Sequence, residues 1–339
     1  MRVVTGGTRA ATATLPSVVG MTALVAQHVR KTYRTRRRGR PPVVALDDVS
    51  LTVAPGEVAG VLGRNGAGKS TTVELLAGVR APDAGWVRVL GLDPRGDRAR
   101  VRTVLGVQLQ AASLHGALTV RELVRLYRSF YRTGLDPDRL VERVGLGASR
   151  DTRFERLSGG QQQRVSVALA LVGAPRAVIL DELTTGLDPE ARRSMWALVE
   201  DLRADGVTVL LVSHLMEEVE RLCDHVTILD AGRVVARGTS AELIDRAGLR
   251  PTVTLRSDDP GAVDLLAALP GVERVDAAGS RLTVTAAPAP VTSAPPVDLL
   301  QTVGAALAAA GVVATETRLR RPTLDDAFLA LTGSPLEAP

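Results

Sequence analysis

Short apolar runs alternate with longer amphipathic stretches over roughly the first two thirds of the chain. Residues 58–62, 177–180 and 207–212 are almost wholly apolar and short, the pattern of strands buried on both faces. Residues 24–31, with Tyr33 following, predict a first strand, and 43–53 alternates apolar and polar residues as a half-buried strand does. Two more strands are expected at 86–90 and 103–110, and a hairpin at 226–229 and 233–236 around Gly232. Helical spacing appears at 70–77, across 119–154 with polar turns at Gly134 and Gly145, from Ser158 to about 171, and from about 189 to 205. Such alternation predicts an α/β core with a largely parallel sheet, whose polar residues gather at the carboxyl ends of the strands.

From about residue 240 the character changes. Strands at 252–255, 272–275, 282–285 and 312–319, with helices at 262–269 and 297–310, give the order β-α-β-β-α-β of a ferredoxin-like module, and a final helix is expected at 324–331. Residues 286–296, rich in Pro and Ala, read as a flexible loop. The expected organisation is a flexible extension over 1–22, a main domain over 23–243 and a small α+β domain over 244–339. Met21 lies just before the first strand, so translation from either Met1 or Met21 fits.

The strongest chemical signal follows the run 58–62. Gly63-Arg64-Asn65-Gly66-Ala67-Gly68-Lys69-Ser70-Thr71 fits G-x-x-x-x-G-K-S/T between a strand and a helix. The glycines let the backbone fold into a nest of N–H donors around phosphate oxygens, and the helix N-terminus adds positive charge. Lys69 is suited to the β- and γ-phosphates and the Ser70 hydroxyl to Mg²⁺. Four further features join it. Ser158-Gly159-Gly160-Gln161 puts bare N–H groups at a helix start. The run 177–180 ends in Asp181-Glu182, one carboxylate fit for Mg²⁺ and the other for orienting or deprotonating water. Gln110 closes an expected strand and is a candidate for the metal or the attacking water. His214 ends the run 207–212 beside Ser213, placed for a γ-phosphate contact.

Composition narrows this little. The 339 residues carry a net charge of +5, nearly all of the positive charge from arginine, so Lys69 stands out beside the one other lysine, Lys31. The basic run Arg36-Arg37-Arg38-Gly39-Arg40, within the loop 34–40, reads first as a solvated connection, with acidic lipid headgroups or a partner as the sharper readings. One cysteine, Cys223, cannot form an intramolecular disulfide and suits a reducing compartment. No apolar run is long enough to span a bilayer, and 1–22, interrupted by Arg9, makes a poor secretory signal.

Together these motifs resemble the nucleotide-binding subunits of ATP-binding cassette (ABC) transporters over about residues 24–240, in the family's order. The resemblance implies a P-loop NTPase core with a helical signature subdomain, ATP and Mg²⁺ as cofactors, and ATP hydrolysis coupled to transport. It implies that Tyr33 stacks on adenine, that Gly63 to Thr71 is the Walker A loop and that Gln110 is the Q-loop glutamine. Ser158 to Gln161 becomes the signature, Asp181 the Walker B aspartate, Glu182 the catalytic glutamate, Asp188 the D-loop aspartate and His214 the switch histidine. Leu183 departs from the family, which usually has proline there. It further implies a head-to-tail homodimer, a separate multi-span permease, no nucleic-acid partner, and a peripheral place on the cytoplasmic membrane face. The stretch 322–333 is similar to the tail of the drug-export branch, the daunorubicin-resistance ATPases. A soluble ABC ATPase of translation or DNA repair is the alternative. The single Walker A loop and the short 110–158 interval speak against it, and a small-molecule kinase leaves the signature unexplained.

Overall fold

The computed structural model describes residues 22–34, 41–109, 114–288 and 298–333. The expected extension, most of the basic loop, Gln110 and most of the Pro/Ala-rich loop lie outside them. In chain order the elements are β1 (Leu24–Tyr33), β2 (Val43–Val53), β3 (Val58–Leu62), α1 (Lys69–Leu76), β4 (Ala84–Val89), α2 (Arg98–Val104) and β5 (Leu105–Gln108). Then come α3 (Val120–Arg128), α4 (Pro137–Arg143), α5 (Gly159–Leu171), β6 (Ala177–Asp181), α6 (Pro189–Ala204), β7 (Thr208–Val212) and α7 (Met216–Leu222). The hairpin β8 (His225–Asp230) and β9 (Arg233–Gly238) precedes α8 (Ser240–Arg246). The last described elements are β10 (Thr252–Arg256), α9 (Ala262–Ala267), β11 (Val272–Ala278), β12 (Arg281–Ala286), α10 (Leu299–Ala310), β13 (Thr315–Arg320, where 312–319 was expected) and α11 (Leu324–Thr332).

The central sheet has the order β5-β6-β7-β3-β8-β9, parallel except for β9. The inner strands β3, β6 and β7 are buried along their whole length and read as nearly unbroken apolar runs because both faces are covered. Ala59, Val61, Ile179 and Leu210 face a core shared with α1 and a separate antiparallel sheet, β2-β1-β4. Val58, Val178, Leu180, Val209 and Leu211 face the opposite way, onto α3, α5 and α6. One expectation needs correction. The strand expected at 103–110 begins only at Leu105, since Thr103 and Val104 close α2. There the Thr103 hydroxyl donates to the Arg100 carbonyl (2.7 Å) and Val101 is the buried position, so local hydrogen bonding within a turn overrides the β-branched side chains.

The four-stranded C-terminal sheet is antiparallel in the order β11-β12-β10-β13, with α9 and α10 against its apolar face. That is the ferredoxin-like strand order. The last helix leaves this module. Leu324 and Phe328 of α11 are fully buried with Leu62, Val219, Val226, Ile228, Ala236 and Leu243. At its start, the Leu324 N–H donates to the Glu220 carboxylate on α7. Phe328→Ala should therefore cost about 3–5 kcal/mol, seen as an earlier denaturation midpoint and faster amide exchange in α7 and β8. An unchanged midpoint would contradict the docking of α11 on this core.

Candidate functional site

β3 feeds the chain into the phosphate loop, and steric limits shape the loop. A β-carbon at Gly63 would sit 2.4 Å from the Leu229 carbonyl oxygen. Gly68 has φ 107°, and a β-carbon there would meet the Ala45 oxygen and Leu46 Cδ2 at 2.6 Å. Glycine is needed at both. The β8–β9 turn braces the loop: the Gly232 N–H donates to the Ala67 oxygen (3.1 Å), and the Asp47 N–H donates to the Gly232 oxygen (2.8 Å). Lys69 opens α1 and is only 7% exposed, its Nζ donating to the carbonyls of Gly63 (2.6 Å) and Arg64 (3.1 Å). Burial lowers the Lys69 pKa, while the charges of Glu182 and Asp181 raise it. Asn65, Gly66 and Ser70 are exposed and Thr71 partly so. Tyr33 stands beside this helix, its hydroxyl 3.4 Å from Thr71 Oγ1 and donating to Glu74 (3.2 Å). The Arg80 guanidinium lies 5.1 Å from the Tyr33 ring centre.

Strand order places the other candidates next to the loop, because β7 lies between β3 and β6. Asp181 ends β6 and is buried, and Glu182 follows in the left-handed region at φ 54°. Two elements pin the Glu182 backbone: its N–H donates to Val212 of β7 (2.8 Å), and its carbonyl accepts from Gln163 Nε2 of α5 (3.2 Å). Its carboxylate Oε1 lies 3.5 Å from His214 Nδ1. Leu183, at the usual proline position, is buried in the helical-side core. The Asp181 carboxyl is pushed up to about 6, first by burial and then by Glu182, with Lys69 acting against both.

The signature turn has a different outlook. Ser158 caps α5, accepting from the Gln161 N–H (3.3 Å), while Gln161 Oε1 accepts from the Ser158 N–H (3.0 Å). This reciprocal box fixes the helix start. Ser158, Gly160, Gln161 and Arg164 line a cleft of about 340 Å³ with Asp188 and Glu190, and no residue of 63–71 lines it. Asp188 caps α6, its Oδ1 accepting from the N–H groups of Glu190 and Ala191 (3.0 and 2.8 Å).

Phosphate loop, Asp181, Glu182 and His214 thus converge, the signature and Asp188 share a second cleft, and Gln110 lies outside the described residues. Sequence reading missed three polar side chains that hold the strand end. Gln108 is 1% exposed, accepts the Asp181 N–H (3.0 Å) and donates to the Leu109 carbonyl (3.1 Å). Gln163 holds the Glu182 carbonyl, and Glu218 is fully buried behind Thr184. A glutamine inside the apolar run 105–108 was the one signal available for Gln108. Because the Asp181 pKa is higher folded than unfolded, the native state binds the extra proton as pH falls, and ionisation above about pH 6 costs stability. Asp181→Asn, free of nucleotide and metal, should melt above the parent at pH near 8, and the gap should close as pH drops through about 6 toward 3.8. A gap independent of pH would contradict this.

The matching family model, described as ABC transporter, covers residues 46–185. The chain is 38% identical over 319 residues to the daunorubicin resistance ATP-binding protein DrrA3 of Streptomyces coeruleorubidus, covering 92% of this chain and 96% of that one. It is 36% identical over 301 residues to the Nod factor export ATP-binding protein I of Rhizobium johnstonii, covering 87% and 92%. Among solved structures, a dimeric ATP-binding cassette in a post-hydrolysis state with ADP and phosphate superposes with TM-score 0.59 at 26% identity, covering 64% of this chain and 98% of that one. Among the described residues no helix is long and apolar enough to cross a membrane. With its phosphate loop, paired carboxylates and signature turn set on this sheet, the chain belongs to the ATP-binding, ATP-hydrolysing subunits of ABC transporters, in a branch whose relatives are named for drug resistance and export.

Proposed function

We propose that this subunit drives export of a small molecule through a separate membrane permease, by closing and opening as a head-to-tail homodimer around ATP. The observation that carries this reading is the cleft at the signature turn. Its capped helix start offers N–H groups to an anion, yet its walls contain nothing from the phosphate loop of the same chain. A second copy can bring its own triphosphate there. The names of the drug-resistance and Nod factor export relatives support the direction of transport.

Within each site the chain's residues divide the work. Lys69 exchanges the carbonyls of Gly63 and Arg64 for the β- and γ-phosphates, and the N–H groups of 63–71 cradle the remaining oxygens. The Ser70 hydroxyl and Asp181 suit Mg²⁺, a hard cation that takes oxygen ligands. Asp181 is buried beside a second carboxylate, and a divalent cation there would relieve the repulsion that raises its pKa. Bound Mg²⁺ supplies charge neutralisation of the phosphates; Gln110 is the candidate to share it. Glu182 orients and deprotonates the attacking water, and His214, 3.5 Å away, faces the γ-phosphate. Tyr33 offers its ring to adenine, and Ser158, Gly159, Gly160, Gln161 and Asp188 meet the partner's nucleotide. Leu183 anchors the chain just past Glu182 by burial where proline would have done so by stiffness.

Glu182→Gln keeps the shape and removes the base. It should bind ATP normally and slow cleavage by about 10²–10⁴-fold. Size exclusion with MgATP should then show a stable dimer where the parent shows mostly monomer. Hydrolysis at the parental rate would contradict the role of Glu182.

A further inference from the structure

The fully buried Glu218, on α7, is unused by the mechanism above. Its Oε1 accepts from Thr184 Oγ1 (2.9 Å) and from Trp196 Nε1 (3.3 Å). The Ser213 side chain is a third hydrogen-bond partner. Its Oε2 is buried without a hydrogen-bond partner. Burial pushes the Glu218 pKa up, and the bonds from Ser213, Thr184 and Trp196, with the charge of Arg192, pull it down. A carboxyl in such a place is a poor choice for stability alone, since apolar side chains of similar volume often fill buried charged sites at no loss.

Its partners explain the choice better than packing does. Thr184 stands two residues after Glu182, and Ser213 stands one before His214. One carboxylate therefore spans the two segments that carry the reacting pair, and Trp196 fastens it to α6. The segment it holds begins with the left-handed turn at Glu182, a conformation that costs energy for a residue with a side chain. Gln163 and Val212 fix the backbone of Glu182 itself, but nothing else described ties Thr184 to the loop before His214.

We propose that Glu218 is a positioning residue for ATP hydrolysis, whose carboxylate ties Thr184 to Ser213 and so sets the 3.5 Å approach of Glu182 to His214. The proposal rests on the reading of Glu182 and His214 as the groups that face the attacking water and the γ-phosphate. Loss of the tie frees two side chains to drift relative to each other without touching the phosphate loop. Turnover should fall while ATP affinity stays.

Steady-state ATPase kinetics on the full chain, paired with thermal melts, test this. Thr184→Val removes the hydroxyl with little change of volume, and Ser213→Ala removes the other end of the tie. Each should lower kcat about tenfold or more, since misplacement on the scale of an ångström costs up to about 10² in rate, with KM for ATP within about twofold. Thr184→Ser should restore kcat. Trp196→Phe removes the bond to α6 alone; it should lower the melting temperature and keep kcat near the parent's. Parental kcat in both folded Thr184→Val and Ser213→Ala would overturn the proposal. So would a kcat loss that Thr184→Ser does not rescue, or that Trp196→Phe reproduces. Glu182→Gln and His214→Ala run in the same assay. If both hydrolyse at the parental rate, the reading of the reacting pair fails and the tie with it. If they are slow while Thr184→Val is not, only the tie fails.

Discussion

The burial of Lys69 opposite Asp181 and Glu182 is the constraint on which the rest of the site depends. One cation faces two carboxylates where water is scarce. Lys69 is held by the carbonyls of Gly63 and Arg64, and Asp181 is raised to about 6. That balance exists only because β3, β7 and β6 lie side by side and each ends at the same edge. The glycines at 63 and 68 allow the loop to pass under Leu229 and Ala45 at distances no side chain would tolerate. A triphosphate adds still more negative charge. The proposed closed site would offset it with further cationic partners, a divalent metal on one side and a helix N-terminus on the other. The signature turn offers such an N-terminus in a cleft that no residue of 63–71 lines.

Most of this site was legible in the sequence because its chemistry is local. Gly63 to Thr71 is contiguous, and strand, loop and helix agree around it. Asp181-Glu182 and His214 end apolar runs, and Ser158 heads a helix whose capping box involves residues three apart. The runs 58–62, 177–180 and 207–212 were equally plain, since burial on both faces leaves one polar side chain among them, Thr208, whose hydroxyl accepts from the Gly56 N–H (2.9 Å). The illegible parts are those where distant residues meet. Gln108 bonds to Asp181 across 73 positions and Glu218 to Thr184 across 34. Nothing in a one-dimensional pattern distinguishes such a glutamate from one on a solvated helix face. The left-handed backbone at Glu182 was hidden for the same reason. Thr103 and Val104 carry the β-branched side chains of a strand start yet close a short arginine-rich helix.

The C-terminal module shows a similar division. Its succession β-α-β-β-α-β was legible along the chain, but the destination of α11 was not. Phe328 is buried against β8 and α7 rather than against its own module. Leu62, the last residue before the phosphate loop, is part of the same cluster, as is Val219 on the helix after His214. The last described helix thus packs on the residue that enters the phosphate loop and on the helix that follows His214, through an apolar contact with no local sequence signature.

In the proposed dimer each ATP site combines the phosphate loop of one copy with the signature turn of another. Mixing two defective proteins tests it most directly. Lys69→Ala lacks a working loop but keeps its signature; Ser158→Arg keeps its loop but fills the signature cleft with a bulky side chain. Each should be nearly inactive alone. An equimolar mixture should regain ATPase activity, because a mixed dimer contains one site with both halves intact. Activity in the mixture no greater than the sum of the two proteins measured separately would contradict the shared site.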